Sequence, residues 1–160
     1  MTIQVGDKIP SATLTTMTAD GPAPVSTDEY FAGRKVALFS VPGAFTPTCS
    51  AKHLPGFVEH ADDLRAKGVD EIACMAVNDV FVMNAWGKSA AVDGKVTMLA
   101  DGNAAFASAL GLEMDASGFG MGKRSKRFSM LVDDGKVVAL NLEEPGAFQV
   151  SSAEHMLTQL

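Results

Sequence analysis

Residues 35–50 read KVALFSVPGAFTPTCS, and this stretch sets the fold of the chain. Its first half, residues 35–41, is an almost continuous apolar run, which is typical of a strand buried on both faces of a sheet. Pro42 and Gly43 then end the strand, because proline lacks a backbone N–H group and glycine favours turns. The stretch therefore predicts a central strand that leads through a short loop to a new element near Pro47.

That element is predicted to be a helix over residues 47–67, where apolar side chains recur at steps of three and four. Charged side chains fill the opposite face, and Gly68 suits the C-terminal stop. Pro55 lies inside the pattern. It is expected to kink or interrupt the helix, because a proline ring clashes with the preceding turn.

Strands and helices alternate through the rest of the chain. After an N-terminal strand or hairpin, the patterns predict strands at residues 72–77, 96–99, 127–132 and 136–142 and helices at residues 80–87, 103–110 and 152–160. Ser151 and Glu154 have the spacing of a capping box for the last helix. This order predicts an α/β protein with a thioredoxin-like fold, in which helices flank both faces of a central mixed sheet. We expect a single domain over residues 1–160.

The composition narrows the choice of partners. The chain has 160 residues and a formal net charge of −6. An acidic surface repels phosphate backbones, so nucleic acid is not expected as a partner. No apolar run approaches the roughly 20 residues that cross a bilayer, and the first residues lack a signal-peptide pattern. A cytoplasmic protein without membrane contact is the expectation.

The two cysteines, Cys49 and Cys74, have different surroundings. Thr46 suits the N-cap and Pro47 the first helical position, which places Cys49 in the first turn. Backbone N–H groups and the positive end of the helix dipole stabilise a thiolate there, so Cys49 is a candidate nucleophile. Cys74 lies in an apolar strand, where a cysteine is more often a packing residue.

Two further side chains are predicted to act on Cys49. Thr46 stands where a dithiol oxidoreductase would carry the first cysteine of C-x-x-C, so disulfide exchange is disfavoured. Its hydroxyl is predicted both to cap the helix and to donate a hydrogen bond to the thiolate. Residues 123–127 hold four of the 13 basic residues. Three of the four are assigned to a solvated loop, whereas Arg127 opens a strand and could direct its guanidinium at Cys49.

Two alternatives stay open at this point, and a third, a phosphate loop, is excluded. A thioredoxin-fold binding module with an inert thiol would need no chemistry at Cys49. A metal site could use Cys49, His53 and His60, although such scattered ligands are usually coincidental and His53 is expected to cap or pack locally. The glycine-rich residues 118–122 are not followed by the Lys-Ser/Thr helix of a phosphate loop.

Residues 42–49, PGAFTPTC, resemble the P-x-x-x-T-x-x-C signature of peroxiredoxins in the form typical of the type II (type five) subgroup. The likeness extends nearly end to end. Collinear blocks similar to those of the subgroup are HLPGF at 53–57, VND at 77–79, AWG at 85–87, LAD at 99–101 and KRFSM at 126–130. The chain is thus identified as a member of this thioredoxin-fold family.

The resemblance implies a role for each residue of the motif. Cys49 would be the peroxidatic cysteine, which becomes a sulfenic acid as it reduces hydrogen peroxide or an alkyl hydroperoxide. Thr46 would bind the peroxide, Arg127 would activate thiolate and substrate, and Pro42 would shield the sulfenate. No metal or prosthetic group is expected, and members of the family are commonly homodimers.

The reductant is a separate question. Animal members of the subgroup carry a resolving cysteine near the C-terminus, whereas residues 146–152 here contain none. Plant and many bacterial members instead have a cysteine that matches Cys74. They are often reduced by glutathione and glutaredoxin, with thioredoxin as an alternative. We therefore expect an external thiol to reduce Cys49, with Cys74 as a possible but less favoured resolving residue.

Overall fold

The structure is a computed structural model that describes residues 2–160. Its strands are β1 Thr13–Thr18, β2 Gly21–Ser26, β3 Lys35–Ser40, β4 Glu71–Ala76, β5 Thr97–Ala100, β6 Glu113–Asp115, β7 Lys123–Ser125, β8 Phe128–Asp133 and β9 Lys136–Leu142. Its α-helices are α1 Thr27–Tyr30, α2 Leu54–Glu59, α3 Ala61–Ala66, α4 Val80–Ser89, α5 Ala105–Leu110 and α6 Ala153–Leu157. No helix within residues 2–160 is both long and apolar enough to cross a bilayer.

The main sheet has the order β2-β1-β5-β4-β3-β8-β9, and β6 pairs with β7 in a separate ribbon. Strand β3 lies next to parallel β4 on one side and antiparallel β8 on the other. Helices link the parallel strands, because a parallel connection needs a crossover. The predicted α/β class with a central mixed sheet is confirmed.

Strand β3 divides the core into two layers. Phe39 belongs to the cluster that also contains Phe57 and Trp86, whereas its neighbour Leu38 packs with Phe106 on the other face. Successive side chains of a strand point to opposite faces, so a strand between two helical layers needs apolar residues at every position. Burying one such side chain contributes about 1.5–3 kcal/mol relative to leaving it exposed.

The helix after β3 is interrupted, as Pro55 predicts, but the sequence did not predict the form that the interruption takes. Helical backbone begins at Pro47, widens into a π-helical turn over Cys49–His53 and continues as α2. The Leu54 N–H group donates to the Cys49 carbonyl, five residues back. A wider turn relieves the clash between the Pro55 ring and the preceding carbonyl, and such π turns are frequent at functional sites.

The C-terminal helix differs from its prediction. It covers Ala153–Leu157 rather than residues 152–160, and the capping box predicted at Ser151 and Glu154 is wrong. Ser152 is the N-cap, and its hydroxyl accepts a hydrogen bond from the His155 N–H group. Ser151 is engaged elsewhere, because its hydroxyl donates to the Glu143 carboxylate at 2.7 Å.

Candidate active site

The structure brings Cys49, Thr46 and Arg127 together. Cys49 is fully buried in the first turn of the helix after β3. The Thr46 hydroxyl oxygen lies 2.7 Å from the Cys49 Sγ atom, and Arg127 Nη2 donates to the same Sγ at 2.9 Å. The sulfur therefore sits between a hydroxyl and a permanent positive charge, both of which can donate hydrogen bonds to it.

The Thr46 hydroxyl has one proton and two acceptors. Its oxygen is 2.7 Å from the Gly43 carbonyl oxygen and 2.7 Å from Cys49 Sγ. When Cys49 is a thiolate, Thr46 can donate to the sulfur; when Cys49 is a thiol, the S–H group can donate to Thr46 while Thr46 donates to Gly43. Within residues 2–160, no backbone N–H group donates to this hydroxyl, so its predicted second role as a side-chain cap is wrong.

The Arg127 guanidinium is held at several points. Arg127 precedes strand β8, and its Nη1 atom donates to His53 Nδ1 at 2.8 Å while Nη2 donates to Cys49. The ring of Phe148 lies 5.8 Å from the guanidinium carbon. A planar guanidinium can serve two acceptors at fixed angles, whereas a lysine ammonium could not match this fork.

His53 lies one turn after Cys49 and is buried among aromatic rings, with centroid distances of 4.8 Å to Phe39 and 4.9 Å to Phe148. Because Nδ1 accepts from Arg127, Nε2 carries the proton and donates to the Ser151 carbonyl at 2.9 Å. Burial, and next the charge of Arg127, lower the pKa of His53 to about 3. His53 is therefore a neutral acceptor for Arg127.

The packing role expected for His53 is confirmed, but its contact with Arg127 was not predicted. The metal alternative needs His60 beside His53 and Cys49. His60 instead bonds Asp63 and Glu154, at 3.3 and 3.0 Å. Within residues 2–160, no group of three or more histidine, cysteine, aspartate or glutamate side chains is placed to hold a metal ion.

Arg124 corrects the reading of the basic run as a solvated loop. It is half-buried and donates to three backbone carbonyls: Met121 at 2.9 Å, Val77 at 3.2 Å and Pro42 at 3.4 Å. Pro42, predicted as a site residue, lies in the loop that this arginine holds. Burial in β7 rises from exposed Lys123 to buried Ser125 without alternating, so residues 123–125 give no local signal for the contacts of Arg124.

Other motif residues hold the loop before Cys49. Asn78 accepts a hydrogen bond from the Ala44 N–H group at 2.9 Å, and Trp86 donates to the Ser50 hydroxyl at 3.0 Å. Phe45 has a left-handed backbone, with φ of 64°, and its ring lies 6.4 Å from that of Trp86. The loop and the first turn are thus held by Asn78, which follows β4, and by Trp86 of α4.

Cys74 lies within β4, opposite Phe39 of β3, and is fully buried. Both cysteines are free thiols and belong to the same core cluster. Burial raises the pKa of the Cys74 thiol, and negative charge on Cys49 raises it further. Cys74 is therefore protonated and shielded in this conformation, as the apolar sequence around it predicts.

Comparison with known proteins places this geometry in a family. The Redoxin family matches residues 4–157. Peroxiredoxin-2E-2, chloroplastic, from Oryza sativa subsp. japonica is 58% identical over 164 residues, which cover 99% of this chain and 73% of the relative. Peroxiredoxin-2B from Arabidopsis thaliana is 50% identical over 99% of this chain and 98% of its own length.

A solved structure has the same fold as this chain. Reduced Prx3 from Vibrio vulnificus in complex with H2O2 superposes with a TM-score of 0.95 at 53% identity, over 98% of each chain. The cysteine at a helix start, beside a threonine and an arginine, thus lies on a backbone shared with peroxiredoxins. The chain belongs to the Redoxin family and, within it, to the type II peroxiredoxins, which are thiol peroxidases.

Proposed function

We propose that Cys49 is the peroxidatic cysteine, which reduces hydrogen peroxide and alkyl hydroperoxides and is then restored by glutathione or glutaredoxin. The observation that carries the proposal is the pair of contacts at Cys49 Sγ, 2.7 Å from Thr46 Oγ1 and 2.9 Å from Arg127 Nη2. The same two groups that contact the sulfur can also bind the oxygens of a peroxide. Activation of the nucleophile and of the substrate therefore occurs at one point.

In the proposed first step the Cys49 thiolate attacks one peroxide oxygen. An S–O bond forms as the O–O bond breaks, and the leaving oxygen takes up a proton to become water or an alcohol. The cysteine is oxidised to a sulfenic acid and the peroxide is reduced. Arg127 stabilises the negative charge that moves onto the leaving oxygen, and Thr46 holds the peroxide in line. Sulfur itself supplies the electrons, so the reaction uses no metal or prosthetic group.

In the second step a glutathione thiolate attacks the sulfenic acid, which releases water and forms a mixed disulfide. A second glutathione thiolate then attacks the glutathione sulfur of the mixed disulfide, which releases reduced Cys49 and leaves oxidised glutathione. If a glutaredoxin thiolate attacks instead, it takes up the glutathionyl group, and a further glutathione releases that group as oxidised glutathione. Because Cys49 is fully buried, this exchange requires the first turn and its loop to open. Arg124 and Asn78 hold that loop, so their hydrogen bonds to it would have to break when it opens.

The intact mass of the reduced protein after one equivalent of hydrogen peroxide tests the intermediate. We expect a gain of one oxygen, because Cys74 is buried and protonated and Cys49 then waits as a sulfenic acid. A parallel sample is treated with dimedone, and its adduct shows that the added oxygen was on a sulfenic acid. A loss of two hydrogens would instead mean a disulfide between Cys49 and Cys74, which favours thioredoxin as reductant. An unchanged mass would contradict the peroxidase mechanism at Cys49.

Replacing Cys74 with alanine tests the reductant separately. We expect the steady-state rate with glutathione and glutaredoxin to stay at the wild-type value, because the proposed cycle uses one cysteine of the chain. Alanine suits the apolar site better than serine, which would bury a hydroxyl. The measurement is peroxide consumption coupled to NADPH through glutathione reductase. A large loss of rate in a folded Cys74→Ala variant would show that Cys74 resolves Cys49.

A further inference from the structure

The carboxylate of Glu143 holds a loop that no part of the proposed reaction uses directly. Glu143 is only 8% exposed. Its Oε2 atom accepts four hydrogen bonds, from the N–H groups of Gln149, Val150 and Ser151 at 2.7, 2.9 and 2.8 Å and from the Ser151 hydroxyl at 2.7 Å. Burial raises the pKa of Glu143, but the bonds from Ser151 and its neighbours lower it more, so the pKa is lowered overall. An ionised carboxylate with four donors is a strong anchor.

This anchor is built beside Arg127. Strands β8 and β9 pair from Phe128 and Leu142 onward, and the next rung is formed by the Glu143 N–H group, which donates to the Arg127 carbonyl at 3.1 Å. Residues that face each other in an antiparallel pair project from the same face of the sheet. The β8–β9 hairpin therefore places the backbone of Arg127 and the carboxylate of Glu143 at the same end of the sheet.

A second connection runs through side chains. The Ser151 carbonyl accepts from His53 Nε2 at 2.9 Å, and His53 Nδ1 accepts from Arg127 Nη1 at 2.8 Å. The other arm of the same guanidinium donates to Cys49 Sγ at 2.9 Å. Because the Ser151 carbonyl accepts a hydrogen bond from Nε2–H, it favours the tautomer in which Nδ1 is an acceptor. If the Ser151 carbonyl moved away, the Nε2–H group would lose its acceptor, and only Arg127 and the neighbouring aromatic rings would hold the imidazole in place.

Building on the proposed function, we propose that Glu143 is a positioning residue for Arg127. Its carboxylate fixes the loop of residues 149–151, the Ser151 carbonyl in that loop orients His53, and His53 orients the guanidinium toward Cys49. A role confined to stability would lower the melting temperature without altering His53 or the rate of the peroxide step. The two roles therefore differ in what they predict for the folded protein.

The rate of the first step is measured in Glu143→Ala, Glu143→Gln and the control Glu144→Ala, which removes an exposed carboxylate from the adjacent position. Stopped-flow fluorescence follows Trp86, which bonds the residue next to Cys49, without any reductant present. We expect Glu143→Ala to react about ten- to a hundred-fold more slowly, as a misplaced catalytic group does. Glu143→Gln keeps an acceptor oxygen and should recover part of the rate, while Glu144→Ala should match wild type.

A nuclear magnetic resonance titration of the three histidines measures the midpoint of His53. A loss of stability alone would not change that midpoint in the folded protein. In the wild-type protein His53 should stay neutral down to about pH 3. In Glu143→Ala the freed loop admits water to the ring, so the midpoint should rise toward the ordinary value of about 6.5. His60 and His155 serve as internal references, because Glu143 does not touch them within residues 2–160.

A folded Glu143→Ala variant with the wild-type rate and an unchanged His53 titration would overturn the inference. If Glu143→Ala does not fold, His53→Phe decides, since it keeps an aromatic ring but cuts the connection between Ser151 and Arg127. A wild-type rate in that variant would also overturn the inference, and a slow rate would support the connection from Ser151 through His53 to Arg127 on which it depends. Failure of the proposed function looks different, because wild-type Cys49 itself would then remain unoxidised by peroxide.

Discussion

Replacing Cys49 with serine is expected to abolish peroxide turnover and to leave the fold intact. Serine differs from cysteine by one atom and can keep hydrogen bonds to Thr46 and Arg127, so the first turn of the helix should be preserved. Its hydroxyl is not ionised near neutral pH, and its oxygen cannot take the place of sulfur as the atom that is oxidised. We expect a loss of several orders of magnitude, as when other enzymes lose their nucleophile.

The Cys49→Ser experiment measures peroxide consumption with glutathione and glutaredoxin, together with intact mass after peroxide. Circular dichroism and the melting temperature establish that the variant is folded. The matched control is Cys74→Ala, which removes the other thiol and should keep both the turnover and the oxygen adduct. Substantial turnover in folded Cys49→Ser would assign the chemistry to another group and remove Cys49 from its proposed role.

The fold was predictable because its main signals are local. The apolar run at residues 35–41 needs burial on both faces, and the structure places it as β3 at the centre of the sheet. Helix ends were less accurate. The capping box at Ser151 was wrong because the Glu143 carboxylate, eight positions earlier and just after β9, accepts a hydrogen bond from the Ser151 hydroxyl. The spacing of a capping motif does not show that a distant carboxylate bonds the same hydroxyl.

In the candidate site, too, contacts between residues close in sequence were predicted better than contacts between distant ones. Thr46 and Cys49 are three positions apart, so helix geometry alone brings them together. Contacts made by long-range folding were found only in part. Arg127 was anticipated from its place at a strand end, but its contact with His53 spans 74 positions. The hydrogen bond from Arg124 to the Pro42 carbonyl spans 82 positions, and no local sequence pattern at either residue predicts it.

Replacing Arg127 with alanine is expected to slow the peroxide step by about 10²- to 10³-fold, which corresponds to the roughly 2.7–4 kcal/mol lost when a preorganised donor is removed from a charged transition state. The variant loses the donor to Cys49 Sγ and the charge that stabilises the leaving oxygen. It also leaves His53 Nδ1 without its donor. The rate constant for oxidation is measured by stopped flow with the reductant omitted, so that recycling does not obscure it.

Two further variants separate charge from geometry in the Arg127 experiment. Lys126→Ala removes the same charge from an exposed neighbouring position and should keep the wild-type rate, because exposed charges are screened by salt. Arg127→Lys keeps the charge but offers a single ammonium, which cannot direct fixed donors at His53 and Cys49 together. We expect its rate to fall between those of wild type and Arg127→Ala. A rate in Arg127→Ala close to wild type would mean that the contact at 2.9 Å has no part in the reaction. Equal losses in Arg127→Ala and Arg127→Lys would instead assign the whole effect to the geometry of the guanidinium fork.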